Sequence, residues 1–174
     1  DGYAFGGWYS DQNCTKKWDF STEVTGAVTL FAKWTASAYT VTLNPMDGQL
    51  MGDSTRTVTF GQPYGELPTP TLRGYNFAGW YTANDDSGKK VEADTVVETA
   101  GAHTLYAKWT PGDVAYTVKH LWQNVENNEY TEHESDSLTG TVMTETAAKA
   151  KTYEGFGPAK EFAQTTIAPD GTTV

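Results

Sequence analysis

The stretch Gly74-Tyr75-Asn76-Phe77-Ala78-Gly79-Trp80-Tyr81 decides how this chain is read, because the chain writes it twice. It stands 72 positions earlier as Gly2-Tyr3-Ala4-Phe5-Gly6-Gly7-Trp8-Tyr9. Each copy is answered by a second phrase, Leu105-Tyr106-Ala107-Lys108-Trp109-Thr110 in one case and Leu30-Phe31-Ala32-Lys33-Trp34-Thr35 in the other. These answering phrases lie 75 positions apart, so the intervening loops differ by three residues. Self-similarity at a fixed period signals an array of like modules and not one enzyme fold.

Strict alternation along 75–81 would put Phe77 and Trp80 on opposite faces. A glycine before the tryptophan is a typical bulge position, and a bulge at Gly79 returns Trp80 to the side of Phe77, where both are expected to be buried. Leu105, Ala107 and Trp109 share one face of the answering strand, so Lys108 and its counterpart Lys33 point outward. By equivalence, the expected core comprises Phe5, Trp8, Trp34, Phe77, Trp80, Leu105 and Trp109.

Working outward, residues 37–111 form a complete copy. Tyr39-Thr40-Val41-Thr42-Leu43 and Arg56-Thr57-Val58-Thr59-Phe60 alternate cleanly and are expected to pair. Asn44-Pro45-Met46-Asp47-Gly48 is a turn between them. Leu67-Pro68-Thr69-Pro70-Thr71 must be extended, since each proline bars its predecessor from the helical region. Val91–Val97 reads as a short strand or a single helical turn. Residues 1–36 hold only the second half of such a unit, with Trp18 and Phe20 on one face and nothing to match 39–73. The chain is therefore expected to begin inside a unit whose other strands lie upstream or come from another chain. Residues 112–174 form a third, divergent unit that opens with Ala115-Tyr116-Thr117-Val118, matching Ala38-Tyr39-Thr40-Val41, and lacks its last strand. Asn124–Asp136 is expected to be a hairpin loop and Thr139–Thr146 the second strand. Tyr153-Glu154-Gly155-Phe156 loosely echoes the opening phrase. Thr172-Thr173-Val174 reads as the start of a strand.

Composition agrees with small β modules. The 28 threonines, with many Val, Tyr and Trp, favour strands over helices. Aromatic residues make up 13% of the chain and offset the thin cores of such small units. The net charge of −10 argues against a nucleic-acid partner, which needs concentrated Lys and Arg. No stretch approaches a membrane span, so no membrane insertion is expected. A lone Cys14 excludes an internal disulfide framework and reads as an incidental thiol.

The paired phrases Gly74-Tyr75-x-Phe77-x-Gly79-Trp80-Tyr81 and Leu105-Tyr106-Ala107-Lys108-Trp109 resemble the Listeria–Bacteroides repeat, or internalin B-type repeat, over 37–111 and over the second half of the unit in 1–36. The third unit is similar to the mucin-binding-protein-like repeats. These resemblances imply β-grasp-like modules, mainly β in an α+β class with little helix, strung in tandem on an extracellular bacterial cell-surface protein. They imply a stalk or adhesive role, with neighbouring repeats as partners and host or matrix glycans or proteins as further ones.

No catalytic pattern stands against that reading. There is no nucleophile elbow, no His-Glu-x-x-His and no phosphate-cradling glycine loop before a helix. His103, His120 and His133 lie in separate segments without metal-ligand spacing. Asp85 and Asp86, in Asn84-Asp85-Asp86-Ser87-Gly88, offer oxygen ligands for calcium but lack the rest of an EF-hand loop. The run Glu126, Glu129, Glu132, Glu134, Asp136 reads as a solvated face. No cofactor is expected. Trp18 and Trp122 have no tryptophan counterpart in the complete copy, and if exposed either could stack on a sugar face. A carbohydrate-binding module is thus the alternative function, and an accessory domain of a larger secreted enzyme a further one. An intramolecular Lys–Asn isopeptide bond could replace the missing disulfides, but Lys33 and Lys108 are directed outward.

Overall fold

The computed structural model describes residues 1–157 and 164–172. Among them are nine strands and no helix, so the chain is all-β. The mainly β expectation is met, with no helix among the described residues, and Val91–Val97 holds the end of a two-residue strand, Lys90–Val91, then a turn and an isolated bridge at Val96. Among the described residues no helix is long and apolar enough to cross a membrane.

Strands β1 (Tyr3–Tyr9) and β2 (Phe31–Ala36) form an antiparallel two-stranded sheet. A five-stranded sheet follows, built from β3 (Ala38–Asn44), β4 (Thr55–Thr59), β5 (Tyr75–Tyr81), β6 (Lys90–Val91) and β7 (His103–Pro111). Its order is β4-β3-β7-β5-β6. Here β3 pairs antiparallel with β4 and parallel with β7, Leu43 standing opposite Leu105. The alternating Thr residues of β3 and β4 face outward, while Val41, Leu43 and Val58 are buried. Strands β8 (Asp113–Gln123) and β9 (Tyr130–Thr141) form a long antiparallel ribbon.

Residues group into two compact units. The first comprises Asp1–Met46, Leu50–Thr69 and Gly79–Ala107. Its core includes Val41, Leu43, Tyr64, Trp80, Val91, Val97 and Leu105. The second comprises Asp47–Gln49, Pro70–Ala78 and Lys108–Val174. Its core is Tyr116, Val118, Ala148 and Ile167, with Val114 packed against them.

The ribbon corrects the expectation of a long acidic loop. Strand β9 begins at Tyr130 and not at Thr139, leaving only 124–129 as the hairpin connection. Its charges alternate along the pleat and find partners, as in the Lys119–Glu132 ion pair at 2.7 Å. Tyr153–Phe156 is a turn and not a strand. Thr172 donates no strand, although its carbonyl accepts from the Thr117 amide at 2.8 Å; Thr173 and Val174 lie outside the described residues.

Candidate functional site

The twice-written phrase carries a bulge. In β1 the register with β2 jumps between Phe5 and Gly7, and Gly7 has φ +114°. Gly79, its equivalent in β5, has φ +132°. Such dihedrals favour glycine, and the extra residue rotates the following tryptophan onto the phenylalanine's face. In the first copy Phe5 accordingly meets both Trp8 (ring centroids 5.6 Å apart) and Trp34 (5.4 Å).

The later copy is covered. Trp80 is 2% exposed, and its indole N–H donates to the Pro68 carbonyl at 2.8 Å. The extended Leu67–Thr71 segment therefore closes over the tryptophan and satisfies its polar atom. Leu105 is fully buried. Phe77 and Trp109 are half-buried and pack edge-on at 5.5 Å, so burial of Phe77 is less complete than expected.

In the first copy, Phe5, Trp8 and Trp34 are not core residues: they are 50%, 40% and 61% exposed. The physical reason is the two-stranded sheet itself. One hairpin supplies one layer, and among the described residues no further strand pairs with β2 to carry a second.

Trp18 is placed by register. The Tyr9–Lys17 bridge and the Trp18 amide, which donates to the Trp8 carbonyl at 2.8 Å, run along the outer edge of β1. Tyr81–Lys90 and Trp80–Val91 do the same along β5. Trp18 thus occupies the position of Val91, which is a core residue, and is itself half-buried. The turn leading to it is held by Asp11, whose carboxylate accepts from the amides of Thr15 (3.1 Å) and Lys16 (2.6 Å). The Lys16 amide above all holds that carboxyl below the usual range. Cys14 sits in this turn, half-buried with φ +51°.

Trp122 lies in an aromatic group of the ribbon. The β8–β9 register shifts after His120, which leaves His133 as the extra residue of a bulge. The His133 ring stacks on Trp122 at 3.5 Å and 14°. Tyr153 meets the indole edge-on at 5.3 Å and Phe156 lies against it at 4.6 Å. The Trp122 indole nitrogen is buried without a hydrogen-bond partner.

Beside this group runs an ionic network that sequence reading missed. Lys151 bridges Asp136 at 2.7 Å and Glu134 at 3.2 Å, His120 Nε2 meets Asp136 at 3.0 Å, and the Tyr153 hydroxyl donates to Glu134. The Tyr153 hydroxyl, then Lys151, lower the Glu134 carboxyl; Lys151, then His120, lower that of Asp136. Asp136, with Glu134 behind it, raises Lys151. The period-two spacing of Glu132, Glu134 and Asp136 was the signal that could have marked a strand with paired charges.

The remaining candidates are engaged locally. Asp85 Oδ1 accepts from the Ser87 amide at 2.9 Å and its hydroxyl at 2.5 Å, an Asx turn, and Asp86 is exposed. No group of three or more metal-ligating side chains occurs among the described residues. His103 accepts from the Tyr64 hydroxyl at 2.6 Å and donates through Nδ1 to the Gly101 carbonyl at 2.9 Å. Lys33 lies 5.3 Å from the centroid of the Tyr9 ring.

Comparison with known proteins finds the same repeat. The Listeria-Bacteroides repeat domain matches residues 1–33 and 39–108. The chain belongs to this family. Its repeats occur in bacterial surface proteins such as internalins and are typically non-catalytic. Internalin H of Listeria monocytogenes is 40% identical over 115 residues, which cover 65% of this chain and 20% of that protein. A putative Gly-rich membrane protein of Evansella cellulosilytica is 36% identical over 111 residues, 63% of this chain and 12% of that protein. A putative membrane protein of the same organism is 34% identical over 122 residues, 68% and 17% respectively. The chain thus spans a fifth or less of the length of these relatives. No solved structure matches it.

Proposed function

We propose that the chain is a non-catalytic stalk or adhesive segment of an extracellular bacterial surface protein, built from β-grasp-like repeats that space or present a binding surface. The observation that carries this reading is that chemistry-bearing side chains are occupied in holding strands together. Trp80 is tied to Pro68, Trp18 takes the core position of Val91, and Asp85 closes its own turn. The β-grasp likeness rests on the sheet order β4-β3-β7-β5-β6, in which the first and last strands of the copy lie side by side and parallel. Internalin H and the Evansella membrane proteins support the surface location.

A carbohydrate-binding module is the second reading, and Trp122 is its one specific support. Its ring is half-buried and its indole nitrogen lacks a partner. A sugar would have to displace His133, Tyr153 or Phe156 to stack on it, which disfavours a site ready for use. Screening the chain against glycans and matrix proteins separates the readings. Binding to a matrix protein or to nothing, unchanged in Trp122→Ala, is expected. Saturable glycan binding abolished by Trp122→Ala, with folding intact, would replace the stalk reading by the binding module.

A further inference from the structure

The later copy is drawn into the chain at both ends without slack, and its first and last strands are neighbours. A single residue, Ser37, separates β2 from β3, and a single residue, Gly112, separates β7 from β8. Tension along the chain therefore enters this copy at Ala38, the start of β3, and leaves it at Pro111, the end of β7. Those two strands are bonded directly to each other, in parallel, through Val41–His103, Thr42–Thr104, Leu43–Leu105 and Asn44–Tyr106.

The direction of pull decides how such a pairing fails. Because β3 and β7 are parallel, the points of entry and exit lie at opposite ends of the pair. A pull on them slides one strand along the other and loads every rung at once, so the rungs must fail together. An antiparallel pair pulled from its open end, such as β3 and β4 from Ala38 and Thr59, is loaded one rung at a time. The sliding pair is also covered on one face, where Val41, Leu43, Leu105 and Ala107 are buried. Hydrogen bonds beside such a face are stronger than hydrogen bonds in water.

We propose that the later copy is a load-bearing module, in which the β3–β7 pairing is a shear clamp that carries tension past residues 45–102. Strands β4, β5 and β6 and the loops around them stay unloaded until the clamp breaks, and the copy is then released in one step. This deepens the stalk reading and rests on it: a segment that holds a binding surface away from a cell must keep its length when that surface is pulled.

Single-molecule force spectroscopy on the whole chain tests the clamp, in a Cys14→Ser background that leaves introduced cysteines as the only thiols. Handles on Ala38→Cys and Pro111→Cys load β3 and β7 in shear, whereas handles on Ala38→Cys and Gln62→Cys peel β4 from β3. All three positions are exposed. At equal constant load the shear geometry should survive about tenfold longer or more. It should then lengthen in a single step of about 220 Å, the extended length of residues 38–111 less the span that they already cover. Four residues inserted after Gly52, whose surroundings are open, should lengthen that step by about 14 Å, because the insertion lies behind the clamp. Equal lifetimes in the two geometries, extension without one step of that size, or a step that the insertion leaves unchanged would each overturn the clamp. Glycan binding lost in Trp122→Ala would overturn the stalk reading instead and leave these lifetimes as they are, so the two failures are distinct.

Discussion

Trp8 and Trp80 follow the same glycine in the same phrase, yet one is 40% exposed and the other 2%. Both sit after a positive-φ glycine, and both stand in a strand whose outer edge is bridged by a short segment, at Lys17–Trp18 in one copy and Lys90–Val91 in the other. What differs is the cover. Around Trp80 the chain supplies β3, β4 and the proline segment that accepts the indole N–H. Around Trp8 it supplies one hairpin. The phrase therefore encodes a bent strand with its aromatic residues on one side, and burial is added by other strands. Local geometry and core formation are separable properties of this repeat.

The largest effect that can break this comparison comes from the tryptophans. Trp80→Ala removes a buried ring and leaves the Pro68 carbonyl unpaired, and should destabilise the first compact unit by about 3–5 kcal/mol. Trp8→Ala removes a ring that is already 40% exposed, and about 2 kcal/mol is expected from the roughly 100 Å² of apolar burial it loses. Urea denaturation of both variants measures the gap. Equal losses would mean that Trp8 is covered in solution by something the structure does not contain.

A second pair sharpens the local half of the argument. Gly79→Ala and Gly7→Ala place a side chain where φ is +132° and +114°. A new Cβ would stand 2.7 Å from Lys90 Cε in one copy and 3.1 Å from Lys17 Cε in the other, and both neighbours are flexible chain ends that can move. The cost is then mainly backbone strain, about 1–3 kcal/mol at each site. Since the bulge is local, the two costs should be alike despite the unequal burial of the tryptophans. Thermal or urea unfolding checks this; a loss at Gly79 alone would tie the bulge to burial after all.

These outcomes also show what could be read from the sequence. Strands β1, β3, β4, β5 and β7 lie where alternation and the glycine bulge put them, because those signals are local and period-two. The exposure of Phe5, Trp8 and Trp34 was hidden, since a residue's burial depends on strands far along the chain. Trp18 falls near Val91 in the sequence alignment of the two copies, but that nearness does not give its burial; the register of the bridge at the β1 edge does. The acidic run reads as a loop from its charge, while its period-two spacing is the signal of a strand. Its partners, Lys151 and Tyr153, are more than a dozen residues away and approach only once the ribbon has folded.

The smallest effect contrasts the second copy with the ribbon. Trp80, Leu105 and Val41 hold their part of the molecule by apolar burial, which acidification leaves untouched. The Trp122 surroundings rest partly on Glu134 and Asp136, both held below their usual carboxyl range, by the Tyr153 hydroxyl and Lys151 respectively as the main causes. A carboxyl with a lowered folded-state value contributes stability above its unfolded value and loses it as pH falls through the folded one. The ring contacts of Trp122 should therefore loosen as pH drops below about 4, the ordinary carboxylate range, while Trp80 keeps its packing. Both carboxylates are well solvated, so the change should be modest and should shrink at high salt. Indole N–H resonances followed through an acid titration distinguish the two tryptophans. Asp136→Asn should remove part of the Trp122 response and none of Trp80's. A Trp80 signal moving in step with that of Trp122 would mean that the carboxylates and the apolar core unfold together, and that the two regions do not differ in what holds them.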